Sequence, residues 1–218
     1  MKERVNLVVI QPIGEFFSRN GVKLAFSILA FIFLFKIGEA FLGRMSIVFY
    51  KEVGFTNAEI GTYSKLVTWW VTIVFALLGS AVNLRLGIIK GLLIGGVAMA
   101  SSNLMFSWIA LVGPDTDLFL SAVLIDGFTS AWSTVAFVAF ISLLFNRTFT
   151  ATQYALMASL GALGKTVLSS SSGQIVDYMD GNWALFFVLT ALMVIPSLIF
   201  LWFIRNPIAE LERKRDEG

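Results

Sequence analysis

Six long apolar stretches, parted by short clusters of glycine, asparagine, aspartate and basic residues, set the hydrophobic pattern of this chain. They run roughly 22–49, 58–82, 88–112, 118–145, 151–173 and 183–204, here spans 1 to 6. At about 1.5 Å rise per residue, a helix over each can cross a hydrocarbon core about 30 Å thick with some tilt. The punctuation fits helix ends. Gly54-Phe55-Thr56-Asn57 offers Thr56 or Asn57 as an N-cap ahead of Glu59. Gly113-Pro114-Asp115 closes span 3, and Arg205-Asn206-Pro207 is expected to stop span 6. The pattern predicts an all-α membrane protein with six transmembrane helices. Residues 1–21 read as a cytoplasmic connector or N-terminal segment, 22–204 as the bundle, and 205–218 as a charged cytoplasmic tail.

Composition agrees: of 218 residues, 57% are hydrophobic and 14% charged, against about a quarter charged in an ordinary soluble chain. A net charge of +2 gives no case for nucleic acid. With no cysteine there is no disulfide or thiolate chemistry, and with no histidine the commonest metal ligand and acid–base group is missing. No metal cluster or cofactor motif is present, so neither is expected. Val5 to Ile10 is too short for a signal peptide's apolar core. If both ends are cytoplasmic, Lys2, Arg4, Arg19, Lys23, Arg85, Lys90, Arg147, Arg205, Arg213, Lys214 and Arg215 lie inside. Outside lie Glu52, Asp115, Asp117, Asp177 and Asp180, with Lys51, and Arg44 near the boundary. That asymmetry obeys the positive-inside rule and places both termini in the cytoplasm.

Charge inside the apolar lengths is the candidate chemistry. Lys36 lies about 18 Å beyond Leu24, near mid-membrane, and shares a helix face with Glu39. A charge there costs at least about 2.5 kcal/mol, so it is paired or faces water. A structural ion pair between packed helices is the plain reading; a water-filled substrate or ion path is the sharper one. Span 2 carries Lys65, span 4 Asp126 and span 5 Lys165, while spans 3 and 6 have no interior charge. As two triplets the order repeats, as in transporters built from three-helix repeats. Spans 1 and 4 would then line the path, 2 and 5 flank it, and 3 and 6 lie outside; coincidence among few charges is the alternative.

Polar neighbours fall on faces. Lys65, Thr68, Trp69 and Thr72 follow i, i+3, i+4, i+7, and so do Asp126, Thr129, Ser130 and Ser133. Gly161, Lys165, Ser169 and Gly173 recur every four residues, a spacing that lets helices approach closely. Trp69 and Trp132 sit on polar faces where they could stack on sugars, although tryptophan also belongs to the interfacial belt. Gly161-Ala162-Leu163-Gly164-Lys165-Thr166 echoes a phosphate loop, but Ser159 replaces its first glycine and no strand precedes it. A Ser169–Lys165 hydrolase dyad lacks oxyanion donors, so no enzyme is expected.

Val135-Ala136-Phe137-Val138-Ala139-Phe140, Phe145-Asn146-Arg147 and Phe149-Thr150-Ala151-Thr152-Gln153-Tyr154-Ala155-Leu156 resemble AmpG-type muropeptide permeases of the major facilitator superfamily. Phe35-Lys36-Ile37-Gly38-Glu39-Ala40-Phe41 is similar to the family's seventh helix, with Glu39 for the usual aspartate. Ser172 to Asp177 fits the end of its eleventh. The resemblance covers nearly the whole chain but only the C-terminal half of the family's pattern. It implies proton-coupled import of GlcNAc-anhydro-muramyl peptides across the bacterial inner membrane by alternating access. Lys36, Lys65 and Lys165 with Trp69 and Trp132 would bind the anionic, sugar-rich substrate, and Glu39 or Asp126 would carry the proton. The partners implied are the bilayer, the substrate, protons, and an N-terminal six-helix half that is encoded separately, missing by truncation, or replaced by self-association. Transport of another bulky anion such as acetyl-CoA, or a non-transporting membrane assembly subunit, are the alternatives.

Overall fold

Inside a bilayer every backbone N–H and C=O needs a partner within the protein, and helices meet that need locally. A computed structural model describes residues 11–144 and 150–216, without the side chains of residues 66–68, 150 and 214–216. Part of the expected connector (1–10), the basic residues Lys2, Arg4 and Arg147, the side chains of Lys214 and Arg215, and the 145–149 part of the family-like motif lie outside the described residues. All regular structure among the described residues is helical. Helix α1 is Gln11–Asn20. Span 1 is α2 (Val22–Leu34) and α3 (Ile37–Val53), and span 2 is α4 (Asn57–Gly61), a π-helical turn (Thr62–Val67) and α5 (Thr68–Leu86). Spans 3 and 4 are α6 (Ile88–Val112) and α7 (Thr116–Leu143). Span 5 is α8 (Thr150–Ser169) followed by α9 (Ser172–Tyr178), and span 6 is α10 (Trp183–Leu192) with α11 (Ile195–Asp216).

The ends follow local chemistry. Thr56 is the N-cap of α4: its hydroxyl accepts from the Glu59 N–H at 3.2 Å, and Glu59 Oε2 accepts from the Thr56 N–H at 2.8 Å. Asp115 and Asn182 cap α7 and α10 through the N–H groups of Leu118 and Leu185. Span 6 breaks at Met193–Val194, just before Pro196, which suits the first turn of a new helix.

One expectation changes. The last helix does not stop at Ile204. It runs through Pro207 to Asp216, because Ile208 is fully buried in the core and Glu212 Oε1 accepts the Ile88 N–H at 2.8 Å. Within the stretch read as a connector, α1 buries Phe16 and receives Gln153 Nε2, which donates to Pro12 O at 3.1 Å and to Glu15 Oε2 at 2.6 Å. By length and composition, five helical segments among the described residues can cross a membrane: spans 1, 2, 3, 4 and 6. Span 5 is not among them. Its 20-residue helix α8 is about 30 Å long, enough to span, but Gln153, Lys165 and its glycines and serines dilute its hydropathy.

Packing is organised in two aromatic slabs. At one end Phe49, Tyr50, Phe106, Phe119, Trp183 and Phe187 interlock; at the other, Phe31, Phe35, Phe137 and Phe140 join α2 to α7 with Phe16 and Ile208. Phe35 stacks on Phe137 at 5.3 Å between centroids, and Phe31 meets Phe140 edge-on at 5.0 Å. Span 4 lies against spans 2 and 3, span 6 against 3 and 1, and span 5 against 1. Span 2 is the least covered: 13% of its apolar window is buried, against 50% for span 3. Span 3 packs between spans 4 and 6, and its other face carries exposed Val97, Leu104 and Leu111.

Span 5 reaches span 1 through its glycines. A Cβ at Gly164 would lie 2.1 Å from the Phe33 carbonyl oxygen, a backbone atom that cannot step aside. Gly164→Ala is expected to cost about 1–3 kcal/mol, read as a fall in the thermal midpoint of the purified chain. Gly173→Ala, with open space around it, leaves that midpoint unchanged.

Candidate functional site

Lys36 falls at the break in span 1, where Phe35 and Lys36 interrupt the helix between the two aromatic slabs. Phe35 belongs to one slab and Ile37 to the other, so the lysine sits on the seam. It is 8% exposed. Its ammonium has three protons to place and finds Glu39 Oε2, Thr134 Oγ1 at 2.6 Å and Ser133 Oγ at 3.1 Å, with the Ser130 carbonyl further off at 3.5 Å. The second oxygen of Glu39 accepts from Lys165 Nζ at 3.1 Å. One carboxylate thus bridges two ammonium groups, drawing spans 1, 4 and 5 together. The side chains grade outward, from 10% exposed at Lys36 through 23% at Glu39 to 48% at Lys165. Lys36 is the anchor, and Lys165 is the member that faces the open side.

Beside this cluster lies a cleft of about 140 Å³, lined by Glu39, Gly43, Ser46, Tyr50, Ser64 and Asp126 among others. Asp126 Oδ1 accepts from Ser102 Oγ at 2.9 Å, and Thr129 Oγ1 donates to the Asp126 carbonyl at 3.1 Å. Glu39 and Asp126 therefore share one cleft, approached from spans 1 and 4. Ser64 enters it from the π-helical turn of span 2, a local distortion often found at functional sites.

The other predicted residues lie elsewhere. Lys65 is exposed on that same π-helical turn. Trp69 is 64% exposed on span 2 and meets Trp70 edge-on at 5.2 Å. Trp132 departs from the stacking expectation: it is 7% exposed and its indole N–H donates to Asn83 Oδ1 at 2.7 Å. Its ring is packing between spans 2 and 4, where Gly79 closes to within contact of its backbone. Ser169 Oγ donates to the Lys165 carbonyl at 2.7 Å, which leaves no Ser–Lys dyad. Ser102, Thr134 and Ser64 were missed. The first lies in a span without interior charge, and the other two lie one residue off the polar stripes.

No protein-family model matches the chain. It is 31% identical over 201 residues to the anhydromuropeptide permease of Escherichia coli (strain K12), covering 92% of this chain and 40% of that protein. It is 32% identical over 216 residues to a candidate transporter, AmpG 4, of Rickettsia conorii, covering 95% of this chain and 51% of the other. A second candidate transporter, AmpG 3 of Rickettsia prowazekii, is 31% identical over 183 residues, 84% of this chain and 42% of that one. The chain spans about half the length of the curated relatives it matches.

The geometry separates a simple ion pair from a polarised cluster. Exchanging the pair as Lys36→Glu with Glu39→Lys would set two ammonium groups face to face at Lys165 and aim a carboxylate at the Ser130 carbonyl. We expect the exchange to destabilise the purified chain by about 3–5 kcal/mol, as for a broken buried pair. Lys165→Gln, at the exposed end, should cost no more than about 1 kcal/mol. Denaturation midpoints of the two variants measure both.

Proposed function

We propose that this chain, similar over nearly its whole length to AmpG-type permeases, forms one wall of a proton-coupled muropeptide importer working by alternating access. A multi-pass membrane protein with a partly open, charged cleft at mid-depth suits that role. The observation that carries it is Glu39 held between a buried Lys36 and a half-exposed Lys165. Two ammonium groups and one carboxylate leave the cluster one positive charge in excess, which a peptide carboxylate of the substrate would match. Lys165 is the cation that substrate reaches first. When a substrate carboxylate draws Lys165 away, a proton on Glu39 restores the charge balance that the lysine supplied. Binding and protonation are then linked through one shared partner. Asp126, in the same cleft, is the second carboxylate available to the proton, and Lys65 and Trp69 extend the contact surface along span 2.

In this reading the chain works with a second six-helix half across the cleft, in a bacterial inner membrane with both termini cytoplasmic. Span 2, the least covered helix, and the exposed face of span 5 are the surfaces such a half would meet.

Labelled anhydro-muropeptide uptake into membrane vesicles, with the chain assembled beside a complementary N-terminal half, tests the proposal. Glu39→Gln is expected to keep substrate binding but lose accumulation driven by a proton gradient. Lys165→Gln should weaken substrate binding by about 10–100-fold, the loss of one charge-assisted hydrogen bond. Unchanged uphill uptake by Glu39→Gln at normal membrane levels would contradict the assignment.

A further inference from the structure

Spans 3 and 6 run side by side, and their outer face is grooved along its length. Lys90, Leu93 and Val97 follow one stripe of α6 and face Arg205, Trp202 and Leu198 on α11. The groove opens into two hollows of about 380 Å³ each. The one toward the chain's basic end is rimmed by Lys90, Trp202, Arg205, Asn206 and Glu212. The other is apolar apart from Ser101, whose hydroxyl donates to the Val97 carbonyl at 2.9 Å. From Lys90 to Leu104 the groove measures about 21 Å by helical rise, longer than one leaflet's hydrocarbon half of about 15 Å.

The basic end has unused donors. The Arg205 guanidinium carbon lies over the Trp202 ring, 3.2 Å from its centroid, and its Nη1 is buried with no hydrogen-bond partner among the described residues. A buried donor without an acceptor calls for one. The neighbouring carboxylate, Glu212, turns its Oε1 to the Ile88 N–H at 2.8 Å. Lys90 is exposed beside them, and Trp202, 57% exposed, suits the headgroup level. We propose that this groove binds an anionic phospholipid, its phosphate-bearing headgroup on Arg205 and Lys90 and an acyl chain along the apolar stripe to Leu104. A guanidinium presents paired donors that match phosphate oxygens, and basic pockets between membrane helices recognise such headgroups. The proposal needs only that the chain sits in a membrane, and it stands apart from the transport reading.

Native mass spectrometry of the purified full chain, loaded with phosphatidylglycerol or phosphatidylcholine, tests it. The chain should retain phosphatidylglycerol about tenfold better than phosphatidylcholine. Arg205→Gln combined with Lys90→Gln should remove that preference, while Lys23→Gln, a basic change elsewhere, keeps it. Because Lys90 is exposed, Lys90→Gln alone folds whatever the fate of the Arg205 variant, and it should lower the preference several-fold. Equal retention of the two lipids, or an unchanged preference in Lys90→Gln, overturns the site. Displacement of bound phosphatidylglycerol by inorganic phosphate alone would show a phosphate site and overturn the lipid assignment.

Discussion

An ammonium group halfway through a hydrocarbon core has no bulk water to fall back on, so the protein around Lys36 must supply its acceptors. Much of the bundle follows from that demand. Glu39, one turn along, supplies the countercharge; Ser133 and Thr134 bring span 4 in as hydroxyl acceptors; and the spare oxygen of Glu39 reaches Lys165 on span 5. The break in the span 1 helix falls at the lysine itself. Each contact alone is modest, but removing any one of them would leave a charged or polar group short of a partner where partners are scarce.

The two aromatic slabs give this cluster its setting. They close the bundle above and below it with interlocked rings, and the polar layer between them is left thin and open toward spans 2 and 5. Between the packed ends Glu39 and Asp126 line one polar cleft, and Lys165 stands half-exposed beside Glu39. Gly164 contributes by letting span 5 lie directly on the Phe33 carbonyl, so that the next residue, Lys165, can reach Glu39.

The charges were legible because charge inside an apolar run is rare, and each of Lys36, Glu39, Asp126 and Lys165 stood out singly. That Lys165 joins the Lys36–Glu39 pair was not legible: residue spacing reports faces of one helix, not which helices touch. Thr134 and Ser102 stayed hidden because hydroxyl side chains are common in membrane helices and carry no signal until a charged partner is in place. The break at Phe35–Lys36 has no proline to announce it. Pro207 misled in the opposite sense, because burial of Ile208 and the Glu212 contact carry the helix past it. Trp132 sat on a polar stripe, and only its hydrogen bond to Asn83 reveals that the stripe faces protein at that level.

The central claim is that the side bearing Lys165 and Glu39 faces a water-filled path and not lipid. The chain contains no cysteine, so a single introduced thiol is the chain's own sole reporter. Ala162 is exposed one turn before Lys165 on span 5, and Leu104 is 46% exposed on span 3. In membranes holding the assembled transporter, the account predicts that Ala162→Cys reacts with a water-soluble, membrane-impermeant thiol reagent and is protected by muropeptide, while Leu104→Cys stays inert. Equal inertness of both positions would contradict it.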